Sequence, residues 1–381
     1  MLNLNLIKNS TVLVRVNYDL PSLSEIDRIQ DSLKTICTLI ENKNGVIVAS
    51  HWGRPKGKFI PEMSTQKLVE IINNIFKSSE NKTLNSLHIQ YINQFQSFSE
   101  TAENIKNTFK LDKNTIFLLE NTRFHPMEQS KNSEDRLNVA KQYTILADEY
   151  VDEAFPVSHR QEATNCEIKI LLPDCLGVSY ENEITNLNKL KEYPKQPFYA
   201  VMAGSKLETK LPLISGMIQK VDKIFLGGML CFTFIKAYKE LAIDLEKLPD
   251  IFDSSVEYDF LPHAKELILK YPDKILIPLD FVFEETNGKK MAMDIGPKTI
   301  KYYLKQLQNA KTIFWNGTMG YYEKPPFNRG TLEIAGGISK MKGVFRVIGG
   351  GDTNSALPKE ITSTFDFVSM GGGATLDYLS K

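Results

Sequence analysis

The feature that most constrains this sequence is the alternation of short β-branched runs with longer segments of helical periodicity. Most runs are followed by a Gly-rich or charged loop and then by a helix-length stretch. Strands joined by helices form βαβ crossovers, which predicts an α/β fold with parallel sheets and helices on both faces. The predicted strands are Thr11–Val16, Val46–Ser50, Thr115–Leu119, Tyr199–Met202, Lys223–Leu226, Ile275–Ile277, Thr312–Trp315, Val344–Ile348 and Phe367–Val368.

These strands are too many for one compact sheet, and 381 residues are too many for one ordinary core. At about 150 residues per domain, the length favours two or three domains. Val178–Lys191 places apolar residues at helical spacing opposite a charged face, and the Pro-rich stretch Tyr193–Pro197 follows it. We interpret this region as a connecting helix at a domain junction. The alternative is one more surface helix of a single large domain.

The charge balance excludes several classes of partner. Lys+Arg and Asp+Glu both total 46, so the formal net charge is zero, whereas nucleic-acid binding needs a basic footprint. Neither a secretory signal pattern nor a run near the roughly 18 apolar residues of a membrane span is visible. The four cysteines are scattered without a CxxC pair, which indicates reduced thiols rather than a metal site. A cytoplasmic protein with no nucleic-acid or membrane partner is expected.

Three glycine-rich loops follow predicted strands in the second half of the chain. They are Gly227-Gly228, Gly349–Gly351 and Gly371–Gly373. Glycines at this position let backbone N–H groups approach an anion, and a following helix N-terminus favours negative charge. One such loop alone is usually a tight turn, but three at strand ends predict a phosphate-binding crevice.

The commonest nucleotide-binding motifs are absent. The segment Gly53–Lys58 resembles a P-loop, but its spacing is short by one residue and Phe59 stands in place of the hydroxyl residue. Neither GxGxxG nor the protein-kinase HRD and DFG motifs occur. The sequence therefore predicts a nucleotide or phosphate binder outside these classes.

Basic side chains follow the strands of the first half. Each alone is best explained as a surface ion pair, but ligands of open α/β sheets bind at the carboxyl ends of the strands. Guanidinium groups suit carboxylate and phosphate oxygens. Their repeated position predicts one anionic substrate site, with Arg28, His51, Arg54, Arg123, His159 and Arg160 as candidates.

Taken together, the motifs resemble the phosphoglycerate kinase family over nearly the whole chain. Several are generic alone, but their order is specific. The matching segments are VLVRVNYDLP (12–21), SHWGRPKGK (50–58), LLENTRFHPME (118–128), YVDEAFPVSHR (150–160), AGSKLETK (203–210), VDKIFLGGML (221–230), MDIGPKTI (293–300), WNGTMGYYEKPPFNRGT (315–331), VIGGGDTNSAL (347–357) and VSMGGGATLDYL (368–379).

The resemblance implies two Rossmann-like, three-layer αβα domains joined by a helix and a hinge. Residues 1–174 would bind 3-phosphoglycerate, and residues 175–381 would comprise the interdomain helix and a domain for MgADP or MgATP. The last helix, about 374–381, would pack back toward the first domain. The implied enzyme is a monomer that transfers a phosphoryl group reversibly between 1,3-bisphosphoglycerate and ADP, directly and in line, on hinge closure.

The resemblance also implies the site residues. Arg28 and Lys206 would flank the transferring phosphoryl group, Asp352 would hold Mg²⁺ and Glu323 the ribose. The implied triose site is Asn17, Asp19, Arg28, His51, Arg54, Arg123 and Arg160. The implied nucleotide site is Gly204, Lys206, Lys210, Gly227, Gly228, Gly296, Asn316, Glu323, Gly350, Gly351, Asp352 and Thr353, with Gly371, Gly372 and Gly373 donating backbone N–H groups to the phosphoryl group.

Such chemistry needs no general base. A substrate carboxylate, with a pKa of roughly 3.5–4, is already an ionised nucleophile at neutral pH. The protein must align it with the γ-phosphate and neutralise the charge on the equatorial oxygens. Water must also be excluded, because it would otherwise hydrolyse ATP.

Several positions depart from the family pattern. Asn17 and Asp19 carry the family's two residue types in exchanged order, and the family's Asn-Asp-Ala-Phe-Gly-Thr reads Asp152–Val157. Pro156 in that segment cannot take the positive φ that is open to glycine, so the loop is expected to differ. Residues outside the usual pattern also stand at Met229, Thr318 and Met370.

Two other hypotheses remain beside the family's own reaction. One is a paralogous kinase for a related phospho-acid or other carboxylate, which the altered first loop and Pro156 suggest. The other is a non-catalytic scaffold, against which Lys206 and Asp352 argue, because a scaffold needs neither a metal ligand nor a phosphoryl clamp.

Overall fold

The computed structural model describes residues 3–205, 207–243, 256–286 and 289–381. The chain folds as two compact units, residues 1–184 and 185–381. All nine predicted strands are present, each within one residue of its expected ends. The connecting helix is also confirmed, at Val178–Lys191, and the division between the units falls inside it. The expected boundary at residue 174 stays a prediction.

A six-stranded parallel sheet forms the middle of the first unit, in the order β3-β4-β2-β1-β5-β6. Its strands are β1 Thr11–Arg15, β2 Gly45–Ala49, β3 His88–Ile92, β4 Thr115–Leu119, β5 Glu149–Asp152 and β6 Asp174–Leu176. The helices are α1 Asp27–Glu41, α2 Val69–Ser78, α3 Lys82–Asn85, α4 Phe98–Leu111, α5 Ser133–Tyr143, α6 Ile168–Leu171 and α7 Val178–Lys191.

Side-chain alternation along β1 explains the three layers of this unit. Val12 and Val14 belong to one buried cluster with Ile36 of α1, whereas Leu13 belongs to a second cluster with Tyr143 of α5. Successive residues of a strand point to opposite faces, so a continuous apolar run requires helices on both sides of the sheet.

The second unit has its own six-stranded parallel sheet, in the order β14-β13-β12-β7-β8-β9, and a separate antiparallel hairpin, β10-β11. The strands are β7 Phe198–Met202, β8 Lys223–Leu226, β9 Ile275–Leu276, β10 Phe281–Thr286, β11 Lys289–Ile295, β12 Thr312–Asn316, β13 Phe345–Gly349 and β14 Phe367–Ser369. The helices are α8 Leu207–Met217, α9 Leu230–Glu240, α10 Leu261–Lys270, α11 Pro297–Leu307, α12 Arg329–Ser339, α13 Gly351–Ser355, α14 Lys359–Thr362 and α15 Gly373–Ser380.

The strand order of the second unit reverses direction at its first strand. The chain runs from β7 outward through β8 and β9, and then returns to place β12 on the other side of β7. In open α/β sheets, ligands bind outside the carboxyl ends of the strands at such a switch point. The crevice between the ends of β7 and β12 is therefore where a ligand of this unit is expected.

The final helix of the second unit packs against α8. Close approach is possible because Gly216 has no side chain: a Cβ there would lie 2.3 Å from the Ser380 carbonyl oxygen. The Tyr378 hydroxyl donates to Asn188 Oδ1 at 2.7 Å. The expectation that this helix packs back toward the first domain stays a prediction.

Candidate active site

The predicted acid-binding residues all follow strands of the first unit or lie in the first turn of α1. Because the strands are parallel, their carboxyl ends share one edge of the sheet. The residues are Asn17 and Asp19 after β1, Arg28 in α1, His51 and Arg54 after β2, Arg123 after β4, and Arg160 after β5.

Asp19 connects three of these segments. Its Oδ1 accepts from the Gly53 amide at 2.8 Å, its Oδ2 lies 3.6 Å from His51 Nε2, and its backbone carbonyl accepts from Arg28 Nη1. Burial opposes ionisation of Asp19, but His51, the Gly53 amide and Arg28 outweigh it and hold its pKa well below the usual range. Asp19 is therefore a fixed negative charge at neutral pH.

His51 is buried and neutral. Burial, reinforced by the charges of Arg15 and Arg123, lowers the pKa of His51 to about 4. Its Nδ1 lies 3.0 Å from Arg15 Nη2. A guanidinium group can only donate, so Nδ1 accepts and the ring proton lies on Nε2, which faces Asp19.

Two of the predicted residues lie beneath the surface. His51 is 1 % exposed and Arg123 is 2 % exposed, whereas Arg28 and Arg160 are half-buried and Arg54 is exposed. Burial lowers the pKa of Arg123, and the Arg160 charge adds to this effect. The two guanidinium groups are therefore neighbours.

Two central residues of this region were not among the predicted site residues. Arg15 in β1 and Glu162 after β5 are both fully buried and form an ion pair, with Arg15 Nη2 3.0 Å from Glu162 Oε2. Arg15 is the one charged residue in the apolar run TVLVRV, and a lone charge in a buried strand requires a buried partner. That signal indicates a partner but does not identify Glu162.

The segment Asp152–Val157, which departs from the family pattern, is accommodated locally. Pro156 lies in a 3-10 turn, Phe155–Val157, which suits its fixed φ. The buried Asp152 pairs with Lys169 Nζ at 2.5 Å. Asn17 Oδ1 is buried and has no hydrogen-bond partner within the described part of the chain. This oxygen can therefore accept a hydrogen bond from a ligand.

A second buried glutamate, Glu128, lies beside Glu162. Its Oε1 accepts from the Thr164 hydroxyl at 2.5 Å, and its Oε2 has no partner among the described residues. Burial, followed by the negative charge of Glu162, raises the pKa of Glu128 to about 8. Glu128 therefore holds its proton at neutral pH.

The protonation of Glu128 predicts a pH-dependent effect of Glu128→Gln. The folded state keeps a proton that the unfolded chain releases above pH 4.5, so in the wild type this group lowers the free energy of unfolding as pH rises from 4.5 to about 8. Glutamine cannot ionise. Between pH 5 and pH 8, urea unfolding is expected to show that the free energy of unfolding of the variant rises by about 2–4 kcal/mol relative to that of the wild type. A difference that does not change with pH would contradict this assignment.

In the second unit, two predicted glycines meet at the switch point with a third, Gly317, which was not among the predicted site residues. Gly204 follows β7, Gly228 follows β8, and Gly317 follows β12; all three have positive φ. A Cβ at Gly228 would lie 2.4 Å from the Gly204 nitrogen, and one at Gly317 would lie 1.9 Å from the Ala203 carbonyl oxygen. Only glycine permits this approach of three backbones.

A second contact joins the ends of β12 and β13. Asn316 Nδ2 donates to the Gly349 carbonyl, and the Gly317 amide donates to Thr353 Oγ1 at 2.6 Å. Gly350 has a φ of 107° and precedes α13. Asn316 Oδ1 is buried without a hydrogen-bond partner among the described residues. This oxygen, like Asn17 Oδ1, can accept from a ligand.

Asp352 and Glu323 are exposed carboxylates near the same tyrosine. Burial, then the charges of Glu323 and Asp352, raise the pKa of Tyr322, so both carboxylates lie near its ring. Lys210 lies near the β7 end, since its Cε is 4.0 Å from the position of a Cβ on Gly204. Lys206 lies outside the described residues.

The remaining glycines lie at other ends of the same sheet. Gly227 contacts Met319, whose Sδ lies 2.2 Å from a Cβ built on the glycine, and Gly296 precedes α11 against Asp280. Gly351 begins α13. Gly371, Gly372 and Gly373 join β14 to α15, where the Gly371 amide donates to Ser369 Oγ at 3.2 Å.

Other expectations concern the whole chain. All four cysteines are free thiols, as predicted. Among the described residues, none of the helices combines the length and the apolar character needed to cross a bilayer. The same residues contain no group of three His, Cys, Asp or Glu side chains arranged to hold a metal.

Comparisons with known proteins agree with these features. The family model described as phosphoglycerate kinase matches residues 2–381. Phosphoglycerate kinases of Finegoldia magna and Pseudothermotoga lettingae are each 36% identical, over 98% of this chain and 94% of those proteins. Among solved structures, the phosphoglycerate kinases of Coxiella burnetii and Pyrococcus horikoshii are similar, with TM-scores of 0.79 and 0.78, identities of 27% and 25%, and coverage of 98% of this chain and 94% of each.

Proposed function

The chain belongs to the phosphoglycerate kinase family, and on that premise we propose which of its residues perform the family's reaction. It is a kinase that transfers a phosphoryl group between 1,3-bisphosphoglycerate and ADP, so its substrates are small molecules. The paralogue and scaffold hypotheses are not favoured, because the match extends over nearly the whole chain. The residue roles below are proposals.

The charge of the first unit's site carries the proposal. Its basic cluster consists of Arg15, Arg28, Arg54, Arg123 and Arg160. The ionised carboxylates of Asp19 and Glu162 neutralise two of these five charges, and His51 is neutral. The remaining charge is about three positive. A carboxylate with a phosphate ester carries about three negative charges, so 3-phosphoglycerate matches this site in magnitude and sign.

The solvent exposure of the arginines suggests which of them contact the substrate directly. Arg28, Arg54 and Arg160 reach the surface, so we assign to them the direct contacts with carboxylate and phosphate oxygens. Asn17 can accept from the substrate hydroxyl through its unpartnered Oδ1. The substrate carboxylate is already ionised, so these residues need only bind and orient it.

In the second unit we propose that the glycine-rich ends of β7, β12, β13 and β14 bind the phosphates of ADP and ATP through backbone N–H groups. Glu323 would contact the ribose, and Lys206, Lys210 and Asn316 the nucleotide phosphates. The geometry of the described residues supports this proposal, because these glycines follow parallel strands of one sheet and Gly204 lies beside its switch point.

The donor set suits Mg²⁺ bound with its nucleotide. Asp352 is an exposed carboxylate at the end of β13, and Mg²⁺ is usually held by one or two carboxylates together with substrate phosphates. We propose that Asp352 is this ligand. When bound, the ion would neutralise charge on the nucleotide phosphates.

Asp352→Ala is expected to lower Mg²⁺-dependent kcat/KM for ADP at least about a hundredfold, because metal contacts are worth several kcal/mol in the transition state. Binding of 3-phosphoglycerate, measured by calorimetry, is expected to stay unchanged. Glu360→Ala removes an exposed carboxylate from the nearby α14 and serves as the control. An unchanged Mg²⁺ dependence in Asp352→Ala would refute the assignment.

A coupled assay tests the function itself. The purified chain is given ATP, Mg²⁺ and 3-phosphoglycerate, and formation of 1,3-bisphosphoglycerate is followed through a dehydrogenase. Saturable turnover is expected. Binding of nucleotide without turnover of 3-phosphoglycerate would instead favour a paralogous kinase, and absence of both would favour a scaffold.

We further propose that the enzyme is a cytoplasmic monomer in which residues 1–174 form the acid-binding domain and residues 175–381 the connecting helix and nucleotide domain. Closure about the hinge would precede phosphoryl transfer. Sedimentation of the purified chain at the mass of one monomer would support the monomeric state.

A further inference from the structure

Glu162 is a fully buried carboxylate held by several donors. Its Oε2 accepts from Arg15 Nη2 at 3.0 Å, and its Oε1 accepts from Arg123 Nε at 3.0 Å and from Gln129 Nε2 at 2.7 Å. Arg123 Nη2 also donates to Oε1. Burial opposes ionisation, but Arg15 and Arg123 outweigh it and lower the pKa of Glu162 to about 2. One anion thus orients two buried cations and neutralises one of their two positive charges.

The first branch of this network runs through Arg15. The same Nη2 that contacts Glu162 lies 3.0 Å from His51 Nδ1, and Arg15 Nε donates to Thr164 Oγ1 at 3.0 Å. Fixing Arg15 in this orientation fixes the tautomer of His51, because His51 Nδ1 must accept. The Nε2 proton then faces Asp19, 3.6 Å from its Oδ2.

The second branch runs through Arg123. Its Nε and Nη2 are held by Glu162, while Nη1 donates to the Gly53 carbonyl at 2.9 Å. The Gly53 amide donates in turn to Asp19 Oδ1 at 2.8 Å. Arg54 is the next residue in the chain. Both branches therefore end at Asp19 and at the loop that carries Arg54.

We propose that Glu162 is a positioning residue for the acid-binding site: through Arg15 and Arg123 it orients His51, Asp19 and the Gly53–Arg54 loop for the anionic substrate. The inference rests on the proposed function of this site. The role requires a carboxylate that spans both guanidinium groups, because two adjacent buried cations without an anion repel each other.

Two variants test separately the effect of the charge of Glu162 and the effect of the length of its side chain. Glu162→Gln removes the charge, and Glu162→Asp keeps the charge but is too short to span both arginines. Each is expected to raise the KM and the calorimetric Kd for 3-phosphoglycerate about 10- to 100-fold, which is the size of a lost charge-assisted hydrogen bond. The KM for ATP is expected to change less than about twofold. Because Glu162→Asp keeps the buried charge paired, it tests the proposal even if Glu162→Gln does not fold.

Glu167→Gln is the matched control. Glu167 is another buried glutamate of the same unit, paired with Arg136 Nη2 at 2.6 Å, and neither residue contacts the Glu162 network in the described hydrogen bonds. The control is expected to lower stability as Glu162→Gln does and to leave the KM for 3-phosphoglycerate unchanged. An equal rise in KM in the control would mean that general destabilisation causes the effect, and would overturn the proposal.

A double-mutant cycle with Arg123→Lys supplies a readout that a merely structural role would not move. Lysine keeps the charge but has one nitrogen, so it cannot hold Glu162 and Gly53 with the fork geometry of arginine. If Glu162 acts through Arg123, Glu162→Gln adds less to Kd in the lysine background than in the wild type. Multiplicative fold-changes would overturn the proposal.

The outcomes distinguish this inference from the proposed function. If the wild type binds 3-phosphoglycerate and both Glu162 variants bind it within about twofold, the positioning role is wrong and the function stands. If the wild type neither binds nor turns over 3-phosphoglycerate, the function fails and this inference fails with it.

Discussion

Replacing Arg28 by alanine is expected to lower kcat for phosphoryl transfer about a thousandfold, the lower end of the effect of an arginine on a transferring phosphoryl group. Arg28 is half-buried in the first turn of α1, and its Nη1 donates to the Asp19 carbonyl. This contact orients the guanidinium group beside the segment that we propose binds the acid. Loss of the charge removes stabilisation of the equatorial oxygens. The measurement is the coupled assay at saturating substrates.

Lys34→Ala is the matched control, because it removes one positive charge from an exposed position of the same helix. It is expected to retain kcat, and both variants are expected to unfold within about 1 kcal/mol of the wild type. Lys206→Ala, suggested by the family resemblance, is expected to reduce kcat as severely as Arg28→Ala. Retention of more than a tenth of wild-type kcat in Arg28→Ala would show that Arg28 does not contact the phosphoryl group.

The second large effect is expected from Gly317→Ala, which should lower the free energy of unfolding by about 3–5 kcal/mol. Gly317 has a φ of 94°, and a Cβ would lie 1.9 Å from the Ala203 carbonyl oxygen. Backbone strain of 1–3 kcal/mol and overpacking of similar size both contribute to this figure. Both backbone groups of Gly317 are also engaged, the amide with Thr353 and the carbonyl with Trp315 Nε1 at 2.6 Å.

In Gly317→Ala, the affinity for nucleotide is expected to decrease as well as the stability, because displacement of Gly317 moves Asn316 and Thr353. Urea unfolding and ADP binding by calorimetry measure the two effects. Gly336→Ala is the control: Gly336 lies in α12, where a Cβ meets nothing within 4 Å, so alanine should stabilise the helix by about 0.5–1 kcal/mol. Equal stability of the two variants would refute the steric argument.

The sequence missed five strands, β5 and β6 among them, and three of the five lack a continuous buried run. β3, His88–Ile92, is an edge strand in which one residue of the five is fully buried, so its segment resembles a solvated loop. The antiparallel hairpin β10-β11 lies outside both parallel sheets and lacks their continuous apolar pattern. Strands such as β4 are buried along their whole length, and their continuous apolar sequences indicate this burial.

Position along the chain predicts the candidate acid-binding side chains, but the environment of each depends on burial. Sequence position alone does not distinguish His51 and Arg123 from Arg28 and Arg54, since all four follow strands or lie at the start of a helix. The structure places His51 and Arg123 almost wholly beneath the surface and leaves Arg54 exposed. The difference depends on Glu162, which binds Arg123 directly and holds His51 through Arg15, and nothing local to those residues indicates it.

The sequence by itself determined the α/β class, the parallel sheets, the connecting helix and the glycine-rich strand ends, because periodicity, β-branching and glycine position are local properties. The motifs and their order further indicated the family. Only the tertiary structure decided that Arg15 and Arg123 share one counterion and that three glycines of distant strands meet at one point. Those contacts join residues up to 147 positions apart, so they depend on how the strands are arranged and not on any local pattern.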